Sequence, residues 1–114
     1  MKFIIPKKLH NWNDIIGHNR ANRFYANKRK QEEMQEISEY LKCLEPIRKY
    51  PIKIVFKWHI KSKVSDLDNK SIKSILDELQ NLNIIENDNI KYIREITYIA
   101  IPDKEDYVEV EIEE

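Results

Sequence analysis

The sequence predicts an α+β domain, a small mixed β-sheet with two helices on one face, in the order β-α-β-α-β-β. Three observations carry that expectation. Residues 52–60 alternate apolar and polar side chains along a full strand. Two segments, about 21–44 and 69–82, repeat apolar residues at spacings of three and four. The remaining apolar runs are short and bounded by Pro, Asn or Asp. The 114 residues read as a single domain over 1–114, large enough for a core and small enough that a second subunit would help it.

Phe3 to Ile5 forms the first expected strand, ended by Pro6, and residues 7–20 read as a polar loop or helical turn holding Trp12, Ile15, Ile16 and the single glycine, Gly17. The first helix follows over about 21–44, with Met34, Ile37, Leu41 and Leu44 on one stripe, supported by Phe24, Tyr25 and Tyr40. Pro46 and Pro51 frame the connection to the most regular strand, in which Ile52, Ile54, Phe56, Trp58 and Ile60 share one face. The second helix is expected from about Asn69 to Leu82, with Asp68 or Asn69 as N-cap and Ile72, Ile75, Leu76 and Leu79 as its apolar stripe. Asn83 is the residue suited to the left-handed conformation that closes it. Asn87-Asp88-Asn89 marks a turn, and residues 90–101 and 107–112 read as strands joined in a hairpin by residues 102–106.

Formal net charge is zero, with 20 Lys/Arg against 20 Asp/Glu. The distribution is uneven: residues 1–63 hold 15 basic and 6 acidic residues, a net +9, and residues 64–114 hold 5 and 14, a net −9. A basic half suits a polyanion and an acidic half suits cation capture. The acidic tail from Glu109 to Glu114 reads equally well as a solubilising edge strand. Cys43 is the only cysteine, which excludes an internal disulfide or a cysteine metal site and places it in the core by expectation. No apolar run approaches the roughly 18 residues of a membrane span, and Met1 to Pro6 is too short for a signal peptide. A cytoplasmic protein without a membrane partner is expected.

Chemistry concentrates in Asp66-Leu67-Asp68-Asn69, followed by Lys73 and, after one helix, by Asp88. Two carboxylates at i and i+2 share one side of an extended backbone, and a third returned by the helix would complete a set of hard oxygen ligands for Mg²⁺, with Mn²⁺ as the alternative. Such a site polarises a phosphodiester and activates water. In that reading Asp66, Asp68 and Asp88 hold metal, Asn69 supports by orienting a ligand or phosphate, and Lys73 meets a phosphate oxygen. The ordinary alternatives are a cap for Asp68, a turn residue for Asp88 and an i,i+4 ion pair between Lys73 and Asp77. An EF-hand is excluded, since Lys70 stands at the next ligand position and no glycine follows.

Arg20, Arg23, Lys28, Arg29 and Lys30 form a basic run interleaved with Phe24 and Tyr25. With Lys57, Lys61 and Lys63 on the polar side of the central strand and just beyond it, they offer phosphate contacts; a solvated helix face is the alternative. His10, His18 and His59 show no ligand spacing and read as surface or hydrogen-bonded histidines. Trp12 and Trp58 read as core or subunit contacts.

Asp66-Leu67-Asp68-Asn69, Lys73-Ser74-Ile75-Leu76-Asp77-Glu78-Leu79 and Ile84-Ile85-Glu86-Asn87-Asp88 closely resemble, in order and spacing, the RusA-type Holliday junction resolvases of bacteria and their prophages. The resemblance runs from about Val55 to the C-terminus, and Asn22-Arg23-Phe24-Tyr25-Ala26 is similar to the Gram-positive and phage branch. It implies a homodimeric, Mg²⁺-dependent endonuclease that cuts opposing strands of a four-way DNA junction by paired symmetric incisions in recombination and repair. Asp66, Asp68 and Asp88 match that family's catalytic metal-binding acids and Lys73 its essential lysine. Two differences stand out: one extra residue separates Asn69 from Lys73, and Asn87 replaces an acid that commonly precedes the distal Asp. The alternatives are a non-catalytic nucleic-acid-binding protein that keeps the fold, with Asp66 and Asp68 serving structure, and a nuclease for flaps or forks that uses the same residues.

Overall fold

The structure is a computed structural model that describes residues 1–12 and 23–114, with the backbone alone for 23–26. Ile15, Ile16, Gly17, His18 and Arg20 lie outside the described residues, and Arg23, Phe24 and Tyr25 contribute only helical backbone to the description. The elements are β1 (Lys2–Ile5), α1 (Arg23–Leu41), β2 (Ile52–Ile60), α2 (Lys73–Asn81), β3 (Ile93–Pro102) and β4 (Tyr107–Glu113). A short 3-10 turn at Leu67–Asn69 precedes α2. This is the α+β order that the periodicities predict.

β2 behaves as its alternation requires. Ile52, Ile54, Phe56, Trp58 and Ile60 are buried, and they meet Ile37 and Leu41 of α1 and Ile75 and Leu79 of α2 in one core. Val108, Val110 and Ile112 of β4 and Phe3 and Ile5 of β1 join from the same sheet face. The core is therefore the layer between the sheet and two helices, and the opposite sheet face carries the charged residues. Within the core, Phe56, Trp58 and Tyr98 pack ring against ring, with centroids 5.8–6.1 Å apart.

Strand order corrects the expected hairpin. The sheet runs β1-β4-β2-β3, with β2 parallel to β3 and antiparallel to β4. β3 and β4 are thus not neighbours, although only four residues separate them. The α2 crossover delivers β3 to one side of β2, as a parallel pair requires. The chain then crosses the end of β2, where the Asp103 amide donates to the Ile60 carbonyl (3.0 Å) and the Lys61 amide to Asp106 Oδ1 (3.1 Å). β4 consequently enters between β2 and β1, so the acidic tail is an interior strand and not an edge.

The start of α2 also departs from expectation. Lys70 is extended and forms an isolated antiparallel bridge with Asn11, which breaks the helical path between the 3-10 turn and Lys73. The Ser71 hydroxyl, rather than Asp68 or Asn69, accepts the Lys73 amide at 3.3 Å. At the other end Asn83 takes φ 59°, in the left-handed region, and the Ile84 amide closes onto the Leu79 carbonyl at 2.9 Å. Cys43 is exposed, because it sits in the turn beyond Leu41 rather than on the apolar stripe of α1. Trp58 is a core residue at 4% exposure, and Trp12 is exposed at 37%.

Phe56 joins both helices' core to the aromatic group of β3. Phe56→Ala should lower stability by about 3–5 kcal/mol, read as a fall in the urea midpoint, whereas Ile4→Ala at the exposed edge should stay within about 0.5 kcal/mol. Equal midpoints for the two variants would refute this placement of the core.

Candidate nucleic-acid and metal site

The 3-10 turn after β2 places Asp66 at its N-cap position and Asp68 and Asn69 inside it. Asp66 makes no side-chain cap bond; the turn is closed by backbone, from the Asn69 amide to the Asp66 carbonyl and from Lys70 to Leu67, both at 3.2 Å. Asp66 and Asp68 are exposed, and their carboxylates have no hydrogen-bond or ion-pair partner among the described residues. The capping role open to Asp68 is therefore not the one it plays. Asn69 is half-buried beside them, and the turn lies against β3.

Lys73 begins α2, with its Nζ 4.0 Å from Asp77 Oδ2, the i,i+4 pair that the spacing anticipates. Asp77 also pairs with Lys30 of α1. This shared carboxylate brings the basic run of α1 to the first turns of α2, next to the segment that carries Asp66 and Asp68. Lys28 is exposed and Arg29 half-buried on the same helix, and Lys61 and Lys63 are exposed in the loop between β2 and Asp66.

Asp88 occupies a different position. Its turn is made by Asn87, whose Oδ1 accepts the amides of Asp88 (2.7 Å) and Asn89 (3.2 Å), and by Asn89, whose Oδ1 accepts the Lys91 amide (3.0 Å). The Asp88 carboxylate has no such task, and among the described residues it has no partner. The turn docks at the start of β2, through Ile47 N–H to the Ile84 carbonyl (2.8 Å), Glu86 N–H to Tyr50 Oη (3.1 Å) and Ile52 N–H to the Tyr92 carbonyl (2.8 Å). The Asp66 segment instead follows the other end of β2, after residues 61–65.

Among the described residues no group of three or more His, Cys, Asp or Glu side chains is arranged to hold a metal ion. The oxygen donors of Asp66, Asp68 and Asp88 suit a hard divalent cation by chemistry. Their arrangement here does not form a three-carboxylate shell. Asp66, Asp68, Asn69 and Lys73 lie on one continuous segment at the start of the crossover to β3, and Asp88 lies on the turn near its end.

The open sheet face holds a polar cluster that sequence reading missed. His59 is buried at 9% exposure, with Nδ1 2.9 Å from Asp103 Oδ2 and Nε2 3.3 Å from Glu109 Oε1. Tyr107 stacks on the ring at 3.9 Å between centroids and donates its hydroxyl to Asp103 Oδ2 at 3.2 Å. A neutral imidazole donates to one of these carboxylates, an imidazolium to both. Lys57, read as a phosphate contact, instead lies 2.7 Å from Glu111 and 3.9 Å from Glu109. The missing signal is register: Lys57 faces Glu109, and His59 faces Tyr107, only once β4 lies beside β2.

The Lys104 amide, and after it the His59 ring, hold the Asp103 carboxyl below its ordinary value. Lys57 does the same for Glu111, and Glu111 in turn raises Lys57. Depressed carboxyl pKa values give stability that is complete above the unfolded range, about 4, and is lost as pH falls through the native values. Asp103→Asn should therefore flatten the loss of stability below about pH 4. Urea midpoints at several acid pH values measure this slope, and a variant that keeps the wild-type slope would contradict the Asp103 contribution. Comparison with known protein families and with curated proteins finds no match to this chain.

Proposed function

We propose that this chain is a cytoplasmic, Mg²⁺-dependent endodeoxyribonuclease that acts on branched DNA as a homodimer, with four-way junctions as the preferred substrate. The observation that carries the reading is that, among the described residues, the side chains of the three acids of the motif have no structural task. Asp66 makes no cap bond, Asp68 caps nothing, and Asn87 makes the turn that holds Asp88. Carboxylates placed without structural partners, in the order and spacing of the RusA-type motif, are available to ligands.

The basic surroundings support a polyanionic substrate. Lys61, Lys63 and Lys73 lie on the same stretch as Asp66 and Asp68, and the Lys30–Asp77–Lys73 contact adds the basic run of α1. These cations meet phosphates without reading bases, as recognition of branched shape rather than sequence requires. When bound, Mg²⁺ would polarise the scissile phosphate; Lys73 would hold a phosphate oxygen, and Asn69 would orient a ligand or phosphate through its amide. Two-fold symmetry of a dimer matches paired incisions in a junction.

That Asp66, Asp68 and Asp88 form no three-carboxylate group among the described residues favours a second reading, in which the chain binds branched DNA without cutting it. Cleavage of labelled four-way junction, fork and linear duplex across a magnesium titration distinguishes the two. The nuclease should cut the junction only with metal, and Asp68→Asn should lose at least about 100-fold in rate while binding the junction as well as wild type or better. Undiminished cutting by Asp68→Asn would remove the catalytic assignment, and salt-sensitive binding without cutting at any magnesium concentration would establish the binder.

A further inference from the structure

Among the described residues, the outer edge of β3 is a long strand edge without backbone partners. Among the described residues, β3 lies at the end of the sheet and pairs with β2 alone. From Arg94 to Pro102, no backbone hydrogen bond reaches its outer side among the described residues. Between Glu95 and Pro102 the strand is uncharged and rich in β-branched residues, with Ile96 43% and Ile99 40% exposed. Proteins usually guard such an edge by shortness, by a lysine, by an internal proline or by a bulge. The other edge strand, β1, has only four residues and carries Lys2. β3 has ten, and its one irregularity against β2 lies at the start, between Ile52 and Lys53.

We infer that β3 is the seam for a second copy of this chain, joined edge to edge and antiparallel across a two-fold axis normal to the sheet. The occupant follows from self-complementarity. Such an axis pairs residues of one face with residues of the same face, so the helices of both copies lie on one side of a continuous sheet. A register centred on Thr97 pairs the strand from Ile93 to Ile101 and leaves Pro102, which has no N–H to give, outside the ladder. In that register Ile96 meets Tyr98, Glu95 meets Ile99 and Thr97 meets its own counterpart. No like charges stand opposite each other.

The 3-10 turn that carries Asp66 and Asp68 lies against β3. The two acidic turns of the dimer would therefore flank the seam, which on the nuclease reading supplies the pair of sites for paired cuts. The interface itself stands on the edge geometry alone.

Sedimentation of the full-length protein tests the seam independently of DNA. Wild type should sediment at twice the 13.8 kDa of one chain. Ile99→Glu sets Glu against Glu95 twice per dimer and should weaken association by about tenfold or more, whereas Ile99→Lys sets Lys against Glu95 and should keep the dimer. Ile4→Glu, at the other edge, should leave it unchanged. Circular dichroism reports whether each variant stays folded. Should Ile99→Glu fail to fold, Thr97→Cys in a Cys43→Ser background decides: Cα atoms paired across the axis lie about 4.5–5.5 Å apart, within disulfide reach, so oxidation should join two chains through a reducible bond. A wild type that stays monomeric at hundreds of micromolar, or a dimer that tolerates Ile99→Glu, overturns the seam, as does a Thr97→Cys variant that never cross-links. Junction cutting by such a monomer would leave the nuclease reading standing while the seam falls. An intact dimer that never cuts would do the reverse.

Discussion

The position of β2, hydrogen-bonded on both sides, is the constraint from which the remaining structure follows. A parallel neighbour on one side forces the crossover that contains the 3-10 turn and α2. An antiparallel neighbour on the other requires the chain to cross the strand end after β3, and the Asp103 and Lys61 amide bonds fix that crossing. The five buried apolar side chains of β2 then face both helices, so its sequence alternation sets which face of the sheet becomes the core.

The same pairing redistributes charge. As a linear sequence the chain is basic then acidic; as a sheet it sets Lys57 against Glu109 and Glu111, and His59 between Asp103 and Glu109. Much of the polar sheet face is thus an internally matched network. The exposed lysines Lys61, Lys63 and Lys73 lie instead on the chain segments that flank the 3-10 turn of Asp66 and Asp68. Charge matching on the sheet and surplus charge near the turn separate a structural surface from one that suits a ligand.

A turn beside an edge strand also sets exposed acids next to unpaired backbone. The segment with Asp66, Asp68 and Asn69 rests on β3, whose outer side lacks backbone partners among the described residues. Anything that pairs with β3 lies close to those acids. The Asp88 turn is anchored elsewhere, by Tyr50, Ile47 and Ile52 at the start of β2. The acids of the motif are therefore held by two separate turns with different anchors.

Local pattern was enough to place nearly every element, because strand and helix periods and turn residues are properties of short windows. β2 coincides with the expected 52–60, and Asn83 closes α2 as its left-handed preference suggests. The helix start was misread because Lys70 bridges to Asn11, a contact between residues far apart in the chain. The hairpin was misread because proximity in sequence cannot reveal that β2 occupies the place between β3 and β4. Cys43 and Lys57 erred for the same reason, one by its place in a turn and one by its partners. The sequence alone determined the elements, the apolar faces and the residues with chemistry to offer. Only the tertiary structure decided strand order, the partners of Lys57 and His59 and the lack of a three-carboxylate group among the described residues, since each depends on non-local pairings that no short stretch of chain encodes.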